Sequence, residues 1–88
     1  MGEIIKDPAI REKFEQIIAK VPVFVREMAR DKVSQRLKAN LAKEGRSQAT
    51  EKDLIDALFA ETPFGFHGPL KTDMQSIGID YTKYGYDK

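Results

Sequence analysis

The chain has no cysteine and no tryptophan, and only one histidine. Without cysteine there are no disulfides, no thiolate metal sites, no sulfur-ligated iron–sulfur clusters and no cysteine nucleophile. That absence suits a cytoplasmic protein. His67 alone cannot build a metal site, which needs several converging ligands, so neither a metal nor a cofactor is expected, and His67 reads as a surface or packing residue. No apolar run approaches the ~20 residues that span a bilayer, so no membrane association is expected. The N-terminal stretch MGEIIKDPAIREKF is acidic early and broken by charges, unlike a signal peptide. Gly2 fails a myristoylation pattern because Lys6 stands where serine or threonine belongs.

Charge of one sign is also missing. Fifteen Lys and Arg face fourteen Asp and Glu, a net charge of +1. A protein that coats nucleic acid draws affinity from neutralising many phosphates, so nucleic acid is an unfavoured partner. Neither GxGxxG nor GxxxxGK occurs. Ser34, Ser47 and Ser76 lack a nucleophile-elbow context, and no pair of carboxylates is singled out as general acid and base. No catalytic residue is nominated, and no enzyme acting alone is expected.

The 88 residues, 41% hydrophobic and 33% charged, have the composition of a single small globular domain. Asp7-Pro8 signals a helix start, and Ile10, Phe14, Ile17, Ile18 and Val21 form an amphipathic stripe that predicts helix 1 over 8–20. Pro22 breaks that helix and can open another. Phe24, Val25, Met28, Ala29, Val33, Leu37 and Leu41 recur every three or four residues and predict a long helix 2 over 22–44, with Gly45 as its C-terminal cap. Thr50 to Asp53 resembles a capping box that opens helix 3 over 51–61. The expected core is Phe14, Ile17, Ile18, Val25, Met28, Ala29, Val33, Leu37, Leu54 and Leu58. From residue 62 the sequence has no sustained period, apart from a turn or two of helix between Lys71 and Ile77. Residues 62–88 therefore read as an irregular, Gly- and Pro-containing arm. It carries Phe64, Phe66, Tyr81, Tyr84 and Tyr86, too aromatic for a solvated linker, and packs either on its own helices or on a partner. No internal repeat is visible.

Helix 2 is flanked by Arg26, Arg30, Lys32, Arg36, Lys38, Lys43 and Arg46. Arg26 and Arg30 lie one turn apart, a guanidinium pair suited to carboxylates or phosphates. The other reading of this flank is a solvated face with ion pairs along the helix.

The stretch KVPVFVREMAR resembles the start of the small C-terminal domain of the B subunit of light-independent protochlorophyllide reductase, a domain that also occurs free-standing. Pro22, Phe24, Val25, Arg26, Arg30, Gly45, Thr50, Leu54 and Ala57 carry the resemblance, which spans roughly residues 14–60. The sequence departs from the family pattern at Ser34, where a glutamate is common, and in a longer helix 2, and the tail from Thr62 has no counterpart. The resemblance implies an accessory module that docks on a larger redox or tetrapyrrole-related protein, such as a nitrogenase-like or other iron–sulfur protein. GRSQATEKDLIDAL also resembles the end of a histone fold, which implies a homodimer through helix 2 and, as an alternative function, nucleic-acid binding. A third option is a small subunit of an oxidoreductase complex.

The expectation is thus an all-α, three-helix domain at 1–61 around one long central helix, followed by the arm at 62–88. Its partner-binding residues would be Arg26, Arg30, Phe64, Phe66, Tyr81, Tyr84 and Tyr86.

Overall fold

A computed structural model describes residues 4–88; the Gly2 reading and the first three residues of the N-terminal stretch lie outside them. The protein is a small all-α domain, with no strand among the described residues. Helix α1 spans Pro8–Ala19, and the Asp7 carboxylate accepts from the Ala9 N–H at 2.9 Å, with Pro8 in the first turn. Both features match what a helix start needs: an acceptor for its free donors, and a residue that lacks one. Phe14, Ile17 and Ile18 form its buried stripe.

Helix 2 does not begin at Pro22. That residue sits at φ −52°, ψ 139°, followed by a 3-10 turn, Val23–Val25, and only then by α2, Arg26–Lys43. The tighter i→i+3 pattern, with Val25 N–H bonded to Pro22 O at 3.1 Å, changes the facing of the first residues. Phe24 and Met28 therefore point to solvent, and Val25 is only half-buried, although the spacing placed Val25 and Met28 in the core. From there α2 buries a narrow stripe of Val33, Leu37 and Leu41, each four residues apart. Gly45, at φ 66°, closes the helix in a Schellman motif: Arg46 N–H reaches Leu41 O at 3.0 Å and Gly45 N–H reaches Ala42 O at 3.2 Å.

Helix α3, Glu51–Glu61, opens with the full capping box between Thr50 and Asp53. The longest helix, α2, is not the most enclosed. Asp53, Leu54, Ile55, Ala57, Leu58 and Phe59 of α3 are all buried, because LIDALF is apolar round most of the helix rather than along one stripe. α3 packs against α1, α2 and the 3-10 turn Tyr81–Tyr84.

The stretch after residue 62 is not an irregular arm. A second 3-10 turn, Phe64–Phe66, leads into a fourth helix, α4, His67–Ser76. Gly68 and Pro69, which read as breakers, fall in its first turn, where a missing N–H costs nothing. Leu70 and Met74, four apart, are buried, and so are Ile79 and Tyr81; all four join the same core as Phe14 and Leu54. Gly78, at φ 85°, ends α4 in a second Schellman motif, with Ile79 N–H bonded to Met74 O at 2.9 Å. Near the other terminus Ile5 is buried, and Ala49 N–H bonds to Ile4 O at 2.7 Å.

Candidate interaction surface

The two proline junctions are built alike. Pro63 sits at φ −55°, ψ 145°, close to Pro22, and each proline carbonyl accepts from the residue three further on. The residues that cap the following helices, Val25 and Phe66, share φ near −110° and ψ near 8°. The sequence hides this recurrence, since in VPVFVR and TPFGFH only the proline coincides. The equivalence lies in backbone angles and in what Arg26 and His67 do. Arg26 donates from Nη2 to Ala19 O and Val21 O, both at 2.9 Å. His67 donates from Nε2 to Thr62 O at 2.9 Å and Phe59 O at 3.2 Å. Two carbonyl acceptors require the proton on Nε2, which fixes the tautomer. Arg26 thus supplies a donor to the Ala19 and Val21 carbonyls, and His67 supplies one to Thr62 and shares the Phe59 carbonyl with the Thr62 N–H at 3.3 Å, so each side chain holds the angle of its corner.

The two corners meet at one end of the molecule. The end of α1 (Ile17, Ile18, Val21), the start of α2 (Ala29, Lys32, Val33), the end of α3 (Leu58, Glu61, Thr62) and Leu70 of α4 surround one apolar cavity of about 100 Å³. The corners and the first turn of α2 carry the large apolar side chains most exposed among the described residues: Phe64 at 87%, Phe24 at 85%, Val23 at 75%, Phe66 at 62% and Met28 at 55%. Isolated exposed apolar residues are ordinary; five in two short segments that follow prolines make this the candidate for an interaction surface.

The residues nominated from sequence divide between two places. Phe64 and Phe66 stand on this exposed end. Arg26 is turned inward onto α1. Arg30 is bonded to Glu15 at 2.6 Å and lies over the Phe14 ring at 5.8 Å; the guanidinium holds the Glu15 carboxyl below its usual range. The tyrosines face α3. Tyr81 is buried with its ring edge-on to Phe59, and Gln75 donates to its hydroxyl at 3.1 Å. Tyr84 donates to Glu51 at 3.0 Å. Tyr86 donates to Asp56 and stacks on Phe59 with ring centres 4.2 Å apart. Sequence reasoning did not nominate Phe24 and Met28 as surface, because their spacing also fits a core stripe, and it left Val23 unassigned; the signal available was Pro22 just before them.

The basic flank of α2 is partly neutralised. Arg36 pairs with Glu61 at 2.8 Å beside a shallow groove that Lys32, Gln35 and Ala39 also line. Arg46 makes a two-pronged pair with Asp53, at 2.5 and 2.9 Å, and also reaches Glu44. Burial alone raises the Asp53 carboxyl, but donors from Arg46 and from the backbone and hydroxyl of Thr50 outweigh it and hold it below the usual range. Among the described residues no group of histidine or carboxylate side chains could hold a metal ion, and no helix is long and apolar enough to cross a membrane. Comparison of the chain with protein-family models, with curated proteins and with solved structures finds no match.

Proposed function

We propose that the protein is a non-catalytic docking module that binds a larger redox or tetrapyrrole-related protein through its apolar end. One observation carries this reading: two rigid proline corners hold Phe24, Phe64 and Phe66 in solvent, with Val23 and Met28 beside them. Aromatic anchors that are fixed before binding lose little conformational freedom when they are covered, and such residues dominate the energetics of interfaces. The resemblance to the reductase domain rests in part on the residues that form the first corner. Pro22 sets the turn, Arg26 locks it and Phe24 projects from it. The sequence suggested a contact through Arg26, Arg30 and the aromatic residues after 62; Phe64 and Phe66 stay in the proposed contact and Phe24 joins them, while Arg26 and Arg30 bond within the chain.

The test is recovery of the tagged chain from its native cell, compared with a Phe24→Ser, Phe64→Ser variant. The expected result is a larger iron–sulfur or tetrapyrrole-binding protein that accompanies the unaltered chain and is lost with the variant. Both substituted residues are exposed, so an unchanged melting curve separates lost docking from lost folding. A companion held equally by both chains, or one with neither group, overturns the proposal.

A further inference from the structure

We infer that the protein binds a short-chain carboxylate, with the alkyl chain in the apolar cavity between the four helices and the carboxylate on Lys32 at its edge. A shared wall carries this. The cavity of about 100 Å³ and the shallow groove on α2 have Lys32 and Glu61 in common. An apolar space thus adjoins a polar surface, which is what an amphipathic small molecule needs. None of the exposed phenylalanines lines either space, so the site is independent of the docking reading.

The cavity has its origin in the α2 stripe. One turn before Val33, Leu37 and Leu41 stands Ala29, a smaller side chain, and it lines the cavity together with Ile17, Ile18, Val33, Leu58 and Leu70. The walls offer little to water. Among the described residues no buried side-chain nitrogen or oxygen lacks a partner. The hydroxyl in the wall, that of Thr62, donates to Leu58 O at 2.6 Å. A buried water needs about two to four polar partners, whereas an alkyl group needs none. A cavity of roughly 150 Å³ holds a benzene ring. At the same share per carbon, about 100 Å³ holds about four carbons.

Charge decides the head group. Arg36 pairs with Glu61 at 2.8 Å. Lys32, one turn before Arg36 on the same face, makes no ion pair with another described residue. Where the two spaces adjoin, the positive charges of Lys32 and Arg36 therefore face the single negative charge of Glu61. The excess of one positive charge matches a singly charged anion, which meets Lys32 while Glu61 stays neutralised by Arg36. Gln35 in the groove adds amide donors. An ammonium head would meet that excess as a like charge, and an uncharged alcohol would gain the cavity alone.

The test is titration of the methyl-labelled full chain, followed by NMR, with acetate, butanoate, pentanoate and octanoate, and with pentan-1-ol and pentylamine, each to about 50 mM. Shifts are expected at the methyl groups of Ile17, Ile18, Val33, Leu58 and Leu70. Affinity should rise by about fourfold for each carbon up to pentanoate, the transfer value of one buried CH₂, and level off by octanoate. Lys32 is exposed, so Lys32→Gln leaves the fold intact; it should weaken pentanoate by about three- to fivefold and leave pentan-1-ol unchanged. Ala29→Leu fills the cavity and should abolish the shifts for both. Its melting curve shows whether it folds, and if it does not, Lys32→Gln still decides. The site is overturned by pentan-1-ol or pentylamine binding as tightly as pentanoate, by affinity still climbing at octanoate, by shifts confined to methyl groups outside this wall, by a Lys32→Gln chain that binds pentanoate unchanged, or by no binding of any probe.

Discussion

Arg26 and His67 occupy equivalent places in two halves of the fold. Each is the first residue of a helix, five residues beyond a carbonyl that directly precedes a proline, and each donates to that carbonyl at 2.9 Å. A proline junction interrupts the backbone hydrogen-bond ladder and leaves the end of the preceding helix short of donors. A side chain that returns across the junction supplies them. It also fixes the direction in which the intervening 3-10 turn presents its apolar residues, so the stability of the corners and the exposure of Phe24 and Phe64 share one cause.

Removing either returning side chain should therefore weaken the fold without disturbing its core. Arg26→Ala and His67→Ala are each expected to cost about 1–2 kcal/mol, the range for hydrogen bonds whose buried or half-buried acceptors lose their donors. Arg26→Lys should recover only part of the loss, because a guanidinium fork serves Ala19 and Val21 together and a single ammonium does not match it. Urea titration measures this as a lower midpoint with unchanged slope. A midpoint that stays in place for both alanine variants would mean that the corners are held by packing alone.

The first three helices were legible because their signals are local. Asp7-Pro8, Thr50 with Asp53, and Gly45 each mark a helix end through a requirement of the backbone itself. Two things were not legible. The first was the 3-10 turn after Pro22, since a three-residue change of pitch leaves the apolar spacing of Phe24, Val25 and Met28 compatible with a continuous helix while turning Phe24 and Met28 outward. The second was α4, because Gly68 and Pro69 break a helix in its middle but not in its first turn, and nothing in HGPLKTDMQS alone says where that turn begins. Arg26 was nominated as a partner-binding residue, and its role at the corner was not legible. Its acceptors are carbonyls of its own chain, brought near by a corner that the sequence does not describe.

Helix α4 belongs to the core, and its removal should show that. Met74 is fully buried, and Met74→Ala is expected to cost about 2–5 kcal/mol, as for other large-to-small changes at enclosed sites. Ending the chain after Glu61 removes Leu70, Met74, Ile79 and Tyr81 together and uncovers Phe59; no cooperative melting transition is expected from that fragment by circular dichroism. A fragment that melts as sharply as the full chain would show residues 62–88 to be dispensable for folding.

Acid should weaken the fold in part through Asp53. Its carboxyl is held below the ordinary value of 3.8 by Arg46 and Thr50 despite burial. A depressed folded-state value means that the unfolded chain takes up the proton first. The contribution is therefore present above about pH 4 and is lost as pH falls through the folded value. Glu51, beside Lys13 and Tyr84, and Glu15, beside Arg30, act in the same direction from an ordinary value of 4.5. Asp53→Asn is expected to be less stable at neutral pH by about 1–3 kcal/mol, through loss of the charged acceptor to Arg46 and the cap. It should also lose less stability than the unaltered chain between pH 5 and pH 2, measured by urea midpoints across that range. An equal loss in both chains would place the acid response elsewhere.

Alkali should act through the tyrosines with the opposite sign. Burial first, and then the bond to the Asp56 carboxylate, pushes the Tyr86 hydroxyl well above its ordinary value of 10; burial and Glu51 do the same, less strongly, for Tyr84. A raised folded-state value means that the native chain keeps its proton longer than the unfolded chain. The stabilisation is complete below about pH 10 and is lost as pH rises through the folded values. Tyrosinate absorbance should accordingly show Tyr84 and Tyr86 ionising later in the native chain than in concentrated urea. Tyr86→Phe keeps the stack on Phe59 but removes the proton and its bond to Asp56. It should lose one late-titrating group and show a shallower fall of stability above pH 10. If Tyr86→Phe leaves the late titration as large as in the unaltered chain, Tyr86 does not donate to Asp56 in solution, and the packing of the C-terminal turn onto α3 has to be assigned to Tyr81 and Tyr84 instead.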